Sequence, residues 1–142
     1  MKKILHYLIF PAILLLLAAC GGPPSTPIVS PPDIPADAKY VLTDPSVQLE
    51  VAAGGEFYIA VESNPTTGYH WEVMNSWNPN IMVMVANEYQ STSPEGVAGG
   101  GGMDIWQFDA LSAGDATFTI SYFPPGDATD PQQTLTFTVN IR

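Results

Sequence analysis

Two threonines held between a proline and a glycine are the residues of this chain best placed to do chemistry. They lie in the string Asn64-Pro65-Thr66-Thr67-Gly68-Tyr69-His70-Trp71. Their hydroxyls can donate and accept hydrogen bonds. Pro65 fixes its own φ and pushes Asn64 towards extended geometry. Gly68 can take a positive φ that β-branched Thr67 resists. The loop therefore presents Thr66 and Thr67 outward, at low entropic cost on docking. Tyr69 and Trp71 share one face of the strand that follows and can anchor the loop to a core. A plain Pro/Gly hairpin turn explains five of these residues, but the eight-residue string is more specific than a turn.

The chemistry on offer is recognition, not bond-making. Beyond Cys20 the chain has one histidine, His70, and no thiol. No Ser/His/Asp or Cys/His set can be built from that, and no His/Cys cluster has metal-ligand spacing. The 14 acidic residues form no recognisable paired-carboxylate motif. No enzyme is expected, and no metal or cofactor. His70 points away from the face of Tyr69 and Trp71, which suits a solvated or capping role.

Two further loops could share the recognition. Gly99, Gly100, Gly101 and Gly102 precede Met103-Asp104-Ile105-Trp106. Consecutive glycines let the backbone approach another surface closely. A phosphate cradle is a poor alternative, because no lysine follows and a strand, not a helix, comes next. The third loop begins Tyr122-Phe123-Pro124-Pro125-Gly126. Among the aromatic residues, Tyr69 and Phe123 sit at loop edges and are the ones expected at an interface. The others default to core.

Strands must hold these loops. Alternation of period two places Phe57, Ile59 and Val61 on one face of residues 56–63. Similar sets are Tyr69, Trp71 and Val73; Trp106, Phe108 and Ala110; Phe118, Ile120 and Tyr122; and Leu135, Phe137, Val139 and Ile141. Residues 81–85 form a largely apolar run, and shorter strands are expected at 40–43 and 47–51. The fold class is all-β: an immunoglobulin-like sandwich of about seven or eight strands.

The N-terminus reads as an export signal over residues 1–19. Lys2 and Lys3 precede an apolar run, residues 4–17, that is too short to span a membrane and is interrupted by Pro11. Leu17-Ala18-Ala19-Cys20 resembles the bacterial lipobox, which implies cleavage before Cys20 and diacylglycerol on its sulfur. Acyl chains make a stable anchor, at about 0.8 kcal/mol per buried CH₂. The expectation is a lipid-anchored protein of the cell envelope, outside the cytoplasm. Residues 20–38 then form a lipidated, Pro-rich tether. Its six prolines favour extended polyproline geometry and a reach of about 50 Å.

Residues 39–142 form one domain, expected to be monomeric. Beyond Cys20 two cations, Lys39 and Arg142, face 14 acids, a net charge of −12. Nucleic acid is excluded as a natural partner, since phosphate binding needs clustered Lys and Arg. Contact with the membrane is expected through the lipid anchor only.

The first loop resembles the hallmark loop of the chagasin-type inhibitors of papain-like cysteine peptidases. The resemblance runs from about residue 51 to 141. The family carries a glycine-rich second loop, and Phe108, Ala113-Gly114 and Tyr122 fall at its spacing. The third loop departs from it. Where the family has Arg-Pro-Trp, Pro125 aligns with the proline, Pro124 replaces the arginine and Gly126 the tryptophan. The resemblance implies reversible, competitive inhibition, with three loops straddling the peptidase cleft. The residues it assigns to peptidase binding are Asn64, Pro65, Thr66, Thr67, Gly68 and Tyr69; Gly99, Gly100, Gly101 and Gly102; and Phe123, Pro124 and Pro125. Thr66, Thr67 and Gly68 would enter beside a catalytic thiolate and imidazolium. A threonine hydroxyl could hydrogen-bond the imidazolium without offering a scissile carbonyl. Loss of the arginine and tryptophan implies weaker binding than is usual for the family. The alternative function is a non-catalytic, surface-anchored immunoglobulin-like module for an envelope or extracellular ligand. The first loop discriminates, because such a module has no need of it.

Overall fold

The computed structural model describes residues 34–36, 38–92, 94 and 99–142. Within them the chain forms eight strands in two four-stranded sheets. They are β1 (Val41–Leu42), β2 (Leu49–Val51), β3 (Glu56–Ser63), β4 (His70–Val73), β5 (Met82–Ser91), β6 (Gly102–Ala110), β7 (Gly114–Phe123) and β8 (Gln133–Ile141). One sheet has the order β1-β3-β6-β5 and the other β2-β8-β7-β4. β1 and β2 pair in parallel with β3 and β8, and the remaining pairs are antiparallel.

The alternation read from the sequence builds the core. Phe57, Ile59, Trp106 and Phe108 meet Phe118, Ile120, Phe137 and Val139 across the sandwich, all 2% exposed or less. Phe108 and Phe118 pack edge to face at 5.1 Å, a favoured aromatic geometry. Trp77, in the connection between β4 and β5, sets its ring edge-on to both. Burying these large rings is the main stabilising term for a domain without a disulfide. In the same connection, Asn75 donates to Thr117 O (2.9 Å) and accepts from Thr119 N (2.6 Å), which extends the β7 ladder past the end of β4.

Three features differ from the sequence expectation. β5 runs on from residue 85 to Ser91 through a bulge between Met84 and Ala86. Because β5 is an edge strand, only Met82 of the apolar run is fully buried and Ile81 packs partly against the core, while Val83, Met84 and Val85 stay exposed. The glycine-rich loop ends one residue early, since Gly102 is the first residue of β6, paired with Ser63 and Ser91. Finally, Ile34 and Ala38, assigned above to the tether, pack against Tyr58, Ala60 and Ile105 on the outer face of the β3–β6 pair. The proline-rich segment thus closes a second small apolar cluster before β1 begins. The expected signal peptide, Cys20 and residues 21–33 and 37 of the tether lie outside the described residues.

Candidate functional site

The three loops meet at one end of the sandwich, where β3 and β7 finish and β4, β6 and β8 begin. Asn64 is extended (φ −140°, ψ 81°), as its place before proline demands. Pro65–Thr67 forms one turn of 3₁₀-helix, and Gly68 closes it at φ 83°. The amides of Thr67 and Gly68 donate to the carbonyls of Asn64 (3.2 Å) and Pro65 (3.0 Å).

Asn64 also holds both threonines. Thr66 Oγ1 donates to its side-chain Oδ1 and Thr67 Oγ1 to its carbonyl, each at 2.6 Å. The two hydroxyls have therefore used their protons inside the loop. What they turn outward is lone pairs, although Thr67 Oγ1 also takes a long bond from the Tyr69 amide (3.5 Å). Thr66, Thr67 and Gly68 are all exposed, so the loop offers an acceptor surface suited to a cationic N–H donor.

The loop stands on an aromatic stack. Tyr122 of β7 lies against Tyr69 at 5.2 Å and Trp71 at 4.7 Å. The Trp71 indole Nε1 donates to the carbonyl of Glu62 (3.0 Å), tying β4 to the end of β3. Tyr69 Oη accepts from Gln132 Nε2 (3.1 Å), a third-loop residue that sequence reasoning missed because a lone glutamine carries no pattern. His70 is exposed on the opposite face beside Glu72 (2.9 Å), as read from the alternation.

The third loop packs directly on the first. A Cβ placed on Gly68 would come within 2.9 Å of Pro125 Cβ. Pro125 is exposed and Pro124 half-buried. Gly126 has φ 77°, a conformation other residues rarely adopt, and it faces open space. The position that would carry the family's tryptophan is thus shaped for glycine. Beyond it, Asp127 accepts from the amide and hydroxyl of Thr129 (2.8 and 2.7 Å). These hydrogen bonds hold its carboxyl below the usual range.

Phe123 is a correction. It was expected at the interface, but it is 2% exposed, with its ring 6.2 Å from that of His70. It is the last residue of β7 and forms the floor of the third loop. The period-two pattern put Tyr122 on the core side and Phe123 on the solvent side, and it could not register that the outer position would be covered.

The second loop divides in two. Gly99 is exposed at φ 81° with nothing beside it, while Gly100 and Gly101 are half-exposed. Thr92 donates through both its amide and its hydroxyl to Gly101 O, each at 3.2 Å, which pins the loop base. Gly102 is buried, and a Cβ there would strike Gln90 O at 2.3 Å and the Tyr89 ring at 2.6 Å. Its glycine serves internal packing and not contact with a partner. Next along β6, Asp104 is half-buried beneath the loops. Burial raises its carboxyl above the ordinary range, partly opposed by a hydrogen bond with Ser63.

Among the described residues no group of three His, Cys, Asp or Glu side chains could hold a metal ion. What the site presents is one rigid, acceptor-rich loop flanked by two others.

The family model described as Chagasin family peptidase inhibitor I42 matches residues 50–141. The fold is similar to the crystal structure of EhICP2, a cysteine protease inhibitor from Entamoeba histolytica. The two share 23% identity over 72% of this chain and 95% of that one, with a TM-score of 0.60. It is also similar to the solution structure of amebosin, at 25% identity over 72% of this chain and 97% of that one, with a TM-score of 0.57. A comparison with curated proteins gave no match.

Proposed function

Because the chain belongs to the Chagasin family of peptidase inhibitors, we propose that it blocks papain-like cysteine peptidases reversibly and competitively by placing its three loops across the active-site cleft. Residues 64–68 lead. Residues 99–101 flank them on one side, and Pro124 with Pro125 on the other. The observation that carries this reading is the double hold of Asn64 on Thr66 and Thr67. A loop already fixed in its docking shape loses little entropy on binding. Its outward lone pairs match the N–H groups of the imidazolium that pairs with the thiolate in such enzymes. The tight turn presents no extended peptide to the thiolate, so the loop binds without being cut. An interface of this kind buries about 1,600–2,000 Å² in total.

The test is steady-state inhibition of papain by the purified domain, with mass spectrometry of the recovered inhibitor. Competitive inhibition with residues 64–68 intact is expected, with serine peptidases unaffected. Thr67→Arg is expected to abolish inhibition through a clash in the cleft while leaving the fold intact. No inhibition at micromolar concentrations of folded domain would favour the surface-binding module instead.

The setting is proposed on the sequence alone. Cys20, after Leu17-Ala18-Ala19, carries lipid and anchors a monomeric inhibitor in the cell envelope, outside the cytoplasm. Mass spectrometry of membrane-extracted protein tests this, and an unmodified Cys20 would refute it.

A further inference from the structure

A groove opens along one side of the sandwich, beneath the first two loops. Its upper part, about 540 Å³, reaches Asn64 and Gly101. Its lower part, about 440 Å³, reaches Pro45 in the connection between β1 and β2. Glu62, Trp71, Met103 and Gln133 line both, so the two parts are continuous.

The walls are strand edges. β1 pairs only with Tyr58 and Ile59, so the rest of β3, up to Ser63, has no strand beside it on that side. β2 pairs only with Val139, Asn140 and Ile141, which leaves the first part of β8 equally uncovered. An uncovered edge can take an extended peptide, here through the β8 edge and the part of β3 that Trp71 does not cap. Trp71 is fixed in the groove by its bond to the Glu62 carbonyl.

Charge narrows the occupant. The ion pairs among the described residues are His70–Glu72 and Arg142–Glu50, and neither involves Glu62. Arg142 follows β8 and Lys39 precedes β1, both towards the end of the sandwich away from the loops. The loop end therefore carries Glu62, Asp104, Asp127 and Asp130 with no lysine or arginine among its described residues. Glu62 and Trp71 both line the groove, and an exposed carboxylate and an indole on one groove suit a cationic side chain.

We propose that this groove is a second docking subsite for the inhibited peptidase. It takes an extended segment from the rim of the peptidase cleft, with a lysine or arginine side chain lodged between Glu62 and Trp71. The proposal rests on the inhibitor reading. Asn64 and Gly101 belong both to the cleft-facing loops and to the mouth of the groove, so the occupant comes from the same body that the loops engage.

The probe is papain, assayed against the wild-type domain and its Glu62→Gln, Glu62→Lys and Gln133→Trp variants over a range of salt concentrations. The inhibition constant is expected to rise about tenfold for Glu62→Gln, as for loss of one charge-assisted contact. Glu62→Lys raises it further. Gln133→Trp, which fills the groove, weakens inhibition at all salt concentrations. Replacing the rim lysines and arginines of papain by glutamine, one at a time, should reveal one position whose loss is not additive with Glu62→Gln. Inhibition constants within twofold of wild type for both Glu62 variants would overturn the proposal. So would an effect confined to the association rate with Gln133→Trp neutral, because that is long-range steering and not a seat in the groove. Failure of the wild-type domain to inhibit at all is a different outcome: it removes the inhibitor reading, and the subsite with it.

Discussion

Gly68 and Pro125 lie so close that a single added carbon on the glycine would sit 2.9 Å from the proline ring. This contact joins the first loop to the third and makes their relative placement a packed property, not a hinge. Gly68→Ala meets two penalties at once. The left-handed backbone costs about 1–2 kcal/mol for a residue with a Cβ, and the clash forces the loops apart. We expect inhibition to weaken at least tenfold while the melting temperature falls by only a few degrees. Equal inhibition by the two forms would show that the loops dock independently.

Asn64 organises the threonines through its side chain and its backbone separately. Asn64→Ala removes only the first, freeing the Thr66 hydroxyl while Thr67 keeps its partner. A net hydrogen bond of this kind is worth about 1 kcal/mol, so inhibition should weaken several-fold. Adding Thr66→Val to Asn64→Ala also removes the outward acceptor and should weaken inhibition further, but by less than Thr66→Val does in the wild-type loop, since the pair acts as a unit. Fully additive losses would mean that Thr66 contacts the peptidase without help from Asn64.

Phe123 and Gly126 separate stability from binding in the third loop. Phe123→Ala empties a fully packed position and should cost about 3–5 kcal/mol of folding stability, read by chemical denaturation. At temperatures where the variant remains folded, its inhibition constant should change far less than that of Gly68→Ala. Gly126→Trp restores the family residue but violates φ 77°. It is expected to destabilise the loop, not to tighten binding, and tighter binding would show that this turn rearranges on docking.

Asp104 makes folding pH-dependent in a defined direction. Burial raises its carboxyl in the folded state above its ordinary value of 3.8. The folded state therefore holds that proton more tightly than the unfolded chain does. Between 3.8 and the raised value, stability falls as pH increases, and the penalty persists at neutral pH. Asp104→Asn removes the charge and can keep the bond with Ser63. Its melting temperature should exceed that of wild type at pH 7, with the difference vanishing as pH falls below 3.8. A constant difference across that range would locate the effect outside the titration.

The sandwich was legible in the sequence because burial on one face of a strand imposes a period of two. Phe57, Ile59 and Val61, or Phe137, Val139 and Ile141, declare their strands without further information. The first loop was legible for a similar reason. Pro65 and Gly68 restrict backbone angles locally, so the extended Asn64 and the left-handed Gly68 follow from residue type, while the 3₁₀ turn between them came from the structure. Properties that depend on long-range neighbours were not available there. Gly102 and Gly101 are identical letters, yet one is buried against Tyr89 and the other is half-exposed with room for a Cβ. Phe123 occupies a solvent-side position that only the assembled domain covers. Residues 83–85 of the apolar run became an exposed edge because β5 pairs on one side alone. The groove arises because β1 and β2 are shorter than the strands they flank. Local sterics and alternation are written residue by residue, whereas burial, edges and gaps are relations between strands distant in the chain. Those relations were decided only when the two sheets closed on one core.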